Sequence, residues 1–197
     1  MSKKPALPKI VTPPGVGAFV WVHTPDTYMA EDGEGKYKTT LVFDAGDPAI
    51  VAFEKELRRL AQVAAKEAEV KLGPNFNMPV VPGEEYKDKD GNVRDGFAGK
   101  MVVRLASKYA PGLFNNNKQP IADGVKIMSG DLFRCSAQVY PYKGSRKIGL
   151  DGGISLRLKS VQLIEKRSFG ANSADDFDDA YCDQDVESAA AREDSDF

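Results

Sequence analysis

The sequence predicts a mainly β protein with one prominent helix: a five-stranded barrel over residues 1–171 and an acidic tail over 172–197. Three observations carry this. Five segments alternate apolar and polar residues at the strand period. One segment between the second and third of them repeats at the helical period. Near residue 172 the charge balance reverses.

In chain order, the strand segments are 18–22 (AFVWV), 37–43 (YKTTLVF), 101–106 (MVVRLA), 132–140 (LFRCSAQVY) and 154–164 (ISLRLKSVQLI). The helix opens at Asp47, a capping residue, with Pro48 suited to the first turn, and Gly73-Pro74 is its expected stop. Ile50, Phe53, Leu57, Leu60 and Ala64 recur at three- and four-residue steps, so one face packs on the sheet. The charged residues 54–59 take the other face and are read as solvation. Residues 74–98, rich in Gly, Pro and charge, form a long excursion of the kind that is usually functional or mobile. Five strands and one helix are the inventory of an OB-fold-like, partly open barrel, although the usual OB-fold places its helix later.

Residues 172–197 hold ten acidic side chains and one basic one, Arg192. Removing these from the chain's 27 Lys+Arg and 29 Asp+Glu leaves 26 against 19, a surplus of seven positive charges in residues 1–171. A basic body with an acidic end fits a polyanion-binding protein that carries a tail. So acidic a segment cannot bury a core and is expected to be disordered. The N-terminus lacks an apolar core long enough for a signal peptide, and no apolar run approaches the roughly 20 residues that cross a bilayer. Cys135 and Cys182 sit in unlike settings, a strand and the tail, so a disulfide is not expected and a reducing cytoplasm fits. With one histidine and two distant cysteines, no zinc site is expected.

Several motifs fail on inspection. A calcium loop starting at Asp88 requires Gly at its sixth place and Glu at its twelfth, where Val93 and Gly99 stand. Residues 88–95 read better as an Asp-Gly hairpin turn. Gly33 and Gly35 lack the spacing of a dinucleotide or Walker loop. The sole histidine, His23, has no nucleophile or orienting carboxylate in its sequence context. No catalytic constellation and no cofactor are expected.

What does hold is a face. In the fourth strand Phe133, Cys135, Ala137 and Val139 suit a core, leaving Arg134, Ser136, Gln138, Tyr140 and Tyr142 on the opposite side. In the fifth, Ile154, Leu156 and Leu158 face inward while Ser155, Arg157 and Lys159 face out. Arg104 and Lys38 alternate in the same way on the third and second strands. If these strands are neighbours, their outer surface is a basic strip interleaved with tyrosines. Mobile positive charge suits phosphates, and flat rings suit unpaired bases. Residues 142–147 add a basic loop beside an aromatic, with Lys143 and Arg146 its candidate contacts. Trp21 is open to two readings, core or stacking platform.

Beyond composition and spacing, the chain resembles the single-stranded DNA-binding proteins of podovirus-like phage replisomes. The similarity runs nearly end to end: Ser2-Lys3-Lys4, Pro25-Asp26, Gly35 to Lys38, Asp47-Pro48, Pro141-Tyr142-Lys143, the 155–165 strand, Phe169-Gly170, and an acidic end closing in Asp196-Phe197. The resemblance implies an OB-fold that binds single strands without marked sequence preference, can promote annealing and forms homodimers. It also implies a non-enzymatic protein of DNA replication, recombination and repair in the cytoplasm of an infected bacterium. By position it implies DNA contact at Lys3, Tyr142 and Lys143. It further implies that the tail meets the phage polymerase and helicase-primase through Asp196 and Phe197, with neighbouring Asp194 taken alongside them. Two other classes remain open at this point. A phage nuclease or DNA-modifying enzyme acting on single strands requires a carboxylate cluster or nucleophile. A protein-interaction scaffold would use the tail and never meet DNA.

Overall fold

Alternation in the sequence becomes a rolled sheet in the computed structural model, which describes residues 7–28, 34–144 and 152–167. The expected tail, with Asp194, Asp196 and Phe197, lies outside the described residues, as do Lys3 and Arg146. Among the described residues the elements are β1 (Lys9–Val11), β2 (Gly15–Asp26), β3 (Lys36–Asp44), α1 (Pro48–Glu67), β4 (Val80–Pro82), β5 (Lys100–Ser107), β6 (Gly112–Phe114), β7 (Leu132–Tyr142) and β8 (Gly153–Glu165). The five long strands are the five predicted. β1, β4 and β6 were not predicted, because three residues are too few to show a period.

The long strands close a circuit in the order β2-β3-β5-β8-β7 and back to β2. All neighbours are antiparallel except β5 and β8. Two seams are narrow. β5 meets β8 at Leu105↔Leu156 and Ala106↔Arg157, and β2 meets β7 at Gly15↔Phe133 and Val16↔Leu132. At the second seam the backbones need a residue without a side chain, since a Cβ on Gly17 would stand 2.1 Å from the Phe133 ring.

Inside the barrel, Phe133, Cys135, Ala137 and Val139 of β7 meet Ile154, Leu156 and Leu158 of β8, all fully or almost fully buried. Burial holds the Cys135 thiol protonated by pushing its pKa far up. Helix α1 adds Ile50, Phe53, Leu57, Leu60, Ala61 and Ala64 to the same core. Asp47 caps the helix, its Oδ1 accepting from Ala49 N at 2.8 Å. The helix ends six residues before the expected Gly73. Val70 N donates to Ala65 O at 2.8 Å and Glu69 N to Lys66 O at 3.2 Å, with Glu69 at φ 53. This is the Schellman closure, with a glutamate in the left-handed place that glycine usually fills.

The 74–98 excursion is not a free loop. Val42 and Val102, register partners on β3 and β5, point away from the barrel interior, and the excursion covers them. Val81, Phe97 and Val102 form a second small core there, with Val42, Tyr86 and Val93 packed around it. At its tip the expected Asp-Gly turn is present: Gly91 is at φ 87, Lys87 bridges Val93, and Asp88 Oδ1 accepts from Asp90 N and Asn92 N at 2.9 Å each. Among the described residues no helix is long and apolar enough to cross a membrane. No group of three His, Cys, Asp or Glu side chains among them could hold a metal.

Candidate nucleic-acid interface

Sheet register brings the outward cations together. Lys38 on β3 pairs with Ala106 on β5, which pairs with Arg157 on β8, which faces Gln138 on β7. One row across four strands thus carries two cations separated by a methyl group, so the floor between them is low. Arg104 stands two residues along β5, opposite Thr40. Above this floor lies a groove of about 1280 Å³.

The excursion builds one wall. Phe76, Asn77 and Met78 line the groove, held to the barrel by Ile154 N donating to Asn77 O (2.9 Å) and Arg104 N donating to Pro79 O (2.9 Å). Tyr86 lines it further along, with Thr40 beside it. Burial pushes the Tyr86 phenol up, with Thr40 and the Arg104 charge opposing. Its ring stacks on Phe97 at 5.0 Å, and Phe19 of β2 lies against both. Tyr142 enters from β7, Lys36, Lys108 and Tyr109 stand at one end, and Arg58 reaches in from α1.

The cations differ in how freely they could meet an anion. Lys38 is ion-paired to Asp26, which also accepts from Tyr28 N at 3.0 Å; the Lys38 hydrogen bond, then that backbone bond, hold the Asp26 carboxyl below its ordinary range. Arg58 is tied to Glu54 at 2.7 Å, and Lys108 lies 3.6 Å from Glu34. Lys36, Arg104 and Arg157 have no carboxylate partner among the described residues. Arg157 is instead held flat, its guanidinium carbon 3.3 Å from the centre of the Tyr140 ring.

Of the residues expected from sequence, Lys38, Arg104, Tyr142 and Arg157 line the groove. Tyr140 does not; its ring lies under Arg157 and supports that cation. Lys143 is exposed beyond the end of β7, and Lys159 is exposed on β8, neither lining the groove. Arg134 lies far along β7, where its Nε donates to Gln162 Oε1 at 2.8 Å. Trp21 is 42% exposed, which removes the core reading and leaves it on the surface opposite Lys38. Sequence reasoning missed Phe19, Lys36, Arg58, Phe76, Tyr86, Lys108 and Tyr109. Arg58 belongs to the helix face read as solvation. Phe76 and Tyr86 belong to the excursion, whose length alone marked it.

His23, without a sequence partner, has a structural one. Its Nε2 accepts from Ile127 N at 2.8 Å. Partial burial, then the Lys126 and Lys166 charges, hold its pKa below the ordinary value.

The arrangement can hold a flexible polyanion and stack flat rings from it. Comparison with known proteins agrees at the level of fold. In solved structures the chain is similar to the single-stranded DNA-binding protein of bacteriophage Enc34 in complex with ssDNA, at TM-score 0.62 and 18% identity over 82% of this chain and 89% of that one. It is also similar to gp2.5, the single-stranded DNA binding protein encoded by bacteriophage T7, at TM-score 0.59 and 18% identity over 98% and 99% of the two chains. Comparison with curated protein sequences gives no match. A family model, described as the ssDNA-binding protein of Enterobacter phage Enc34, matches residues 9–187. That span takes in the whole barrel and the lining of the groove, and the chain therefore belongs to the Enc34 family of phage single-stranded DNA-binding proteins.

Proposed function

We propose that the groove across β3, β5, β8 and β7 binds single-stranded DNA without sequence preference during phage replication. The observation that carries this is the juxtaposition of Lys38, Arg104 and Arg157 with the rings of Tyr142 and Tyr86 along one cleft. Cations that track a backbone, and rings that accept any base face, are what sequence-tolerant binding of a single strand requires. A duplex keeps its base faces stacked inside and offers only phosphates to such a cleft. Fluorescence titration with single- and double-stranded oligonucleotides tests the reading. Tyr142→Ala is expected to weaken single-strand binding by about 1–3 kcal/mol with little change in melting temperature. Equal affinity of the wild type for both forms would refute it.

In the same reading the protein acts by binding, not catalysis, in the cytoplasm of the infected host, and it protects and anneals single strands as a homodimer. Residues 172–197 recruit the phage polymerase and helicase-primase, with Asp194, Asp196 and Phe197 as contacts. Support comes from the charge reversal at the tail and from the resemblance of its Asp196-Phe197 end to the tails of phage single-stranded DNA-binding proteins. A terminal aromatic beside acidic groups offers an apolar anchor with electrostatic steering. Removing Phe197 alone is expected to abolish capture of the phage polymerase while leaving DNA affinity unchanged. Undiminished capture would remove the tail from this role.

A further inference from the structure

Resting on the groove reading, we infer that the bound strand does not end in the main groove but places one further nucleotide in a side bay, with its base stacked on Phe19. The bay, about 660 Å³, is lined by Phe19, Lys89, Asn92 and Arg94 together with Asp88, Asp95, Val93 and Phe97. Phe19 lines both this bay and the main groove, so its ring is the threshold between them.

Three independent features single out this ring. It sits where the β2–β3 register breaks, between Ala18 and Trp21. Its backbone is at φ 50, a left-handed conformation that a bulky side chain rarely adopts and that costs free energy to hold. It remains 37% exposed although it stacks near-parallel to Tyr86 at 6.2 Å (13°) and to Phe97 at 5.9 Å (22°). Were backbone shape the only need, glycine or asparagine would fill the position without strain. Were packing the only need, the ring would be buried as Phe97 is, at 8%. Strain is retained here to keep part of a flat apolar ring exposed at the junction of two concavities.

The remaining lining supplies the other half of a nucleotide site. The Arg94 guanidinium carbon is 5.6 Å from the Phe19 ring centre, and its Nε is aimed by a 3.1 Å bond to Lys87 O. Lys89 adds a second cation and Asn92 an amide. Asp88 belongs to the turn, holding the backbone N–H groups of Asp90 and Asn92. A base on the ring and a phosphate between Arg94 and Lys89 uses the aromatic ring and both cations according to their chemistry.

The test uses the full chain and oligothymidylates carrying one 2-aminopurine at each position in turn. The variants are Phe19→Gly, which relieves the backbone strain, Phe19→Leu, which keeps apolar volume but no flat face, and Arg94→Gln. Wild type is expected to quench 2-aminopurine strongly near one end of the bound strand, where the bay follows the groove. Both Phe19 variants should lose that position's quenching, keep the others, and lose roughly tenfold in affinity. Arg94→Gln should reduce the slope of log affinity against log salt by about 0.7. Folded Phe19 variants with wild-type affinity and an unchanged quenching profile would overturn the inference while leaving the groove reading intact. Failure of the wild type to bind single strands would overturn both.

Discussion

Replacing Arg104 by Gln removes a single charge from the floor of the groove and leaves the fold nearly untouched, because the side chain is exposed and has no carboxylate partner among the described residues. The groove is lined by six cations: Lys36, Lys38, Arg58, Arg104, Lys108 and Arg157. Three are already engaged, by Asp26, Glu54 and Glu34. Each phosphate neutralised on a single strand contributes about 0.7 to the slope of log affinity against log salt. The three unengaged cations alone give a slope of about 2, and full exchange of the other three raises it to about 4. Arg104→Gln is therefore expected to lower the wild-type slope by about 0.7, whichever limit applies. A tenfold rise in salt should then shrink the wild type's advantage over the variant by about fivefold. Fluorescence titration of one oligonucleotide across that salt range, with both proteins side by side, reads the difference directly. If the two lines run parallel, Arg104 neutralises no phosphate and the floor has been assigned wrongly.

Three further outcomes follow from the fold. Thr39 is buried with its hydroxyl unpartnered among the described residues, so Thr39→Val should raise stability by about 1 kcal/mol, seen as a higher urea midpoint at unchanged slope. Glu69→Gly should remove a left-handed penalty of about 1–2 kcal/mol against a glycine entropy cost of about 0.5–1, raising the melting temperature by about 2 °C. His23 has a pKa below its ordinary 6.5 in the folded state, so the unfolded chain binds the proton more readily. Its contribution is present above pH 6.5 and is lost as pH falls through the folded value. His23→Gln, which keeps an acceptor for Ile127 N, should flatten the fall in urea midpoint between pH 7.5 and 5.5.

The parts of this molecule legible in sequence are those whose signal is local. β7 alternates without interruption and β8 does so from Ile154 to Lys159, before its register slips at Ser160, so their inward residues and the outward placement of Arg157 and Tyr142 could be read directly. The helix start was legible in Asp47-Pro48. Its end was not, because Glu69 takes the left-handed closing position and leaves no glycine to mark it. The floor of the groove was half legible: alternation places Arg104 and Lys38 outward, but only the pairing of β3, β5 and β8 aligns Lys38 with Arg157. The walls were illegible, since Phe19, Phe76 and Tyr86 reach the groove through contacts between segments distant in sequence. Alternation likewise could not separate Arg134 from Arg157. Both point outward, yet Arg134 is spent on Gln162 at the far end of the strand.

The far part of the wall, Tyr86 with Val81, Val93 and Phe97, rests on a small core of its own, whereas Phe76, Met78 and Val80 pack with the main one, and this sets the order in which the molecule loosens. Val81, Phe97 and Val102 hold that far part, while the barrel and helix share a far larger cluster. Sub-global opening follows such divisions, releasing the weakly cored unit first. Amide exchange in residues 83–97 should therefore run ahead of exchange in β7 and β8. A cleft whose wall loosens first at its Tyr86 part can be widened from the side there, so that a strand is laid in sideways. Replicating DNA exposes long single strands whose ends are remote, and for such a ligand threading is impractical while lateral entry and release are direct.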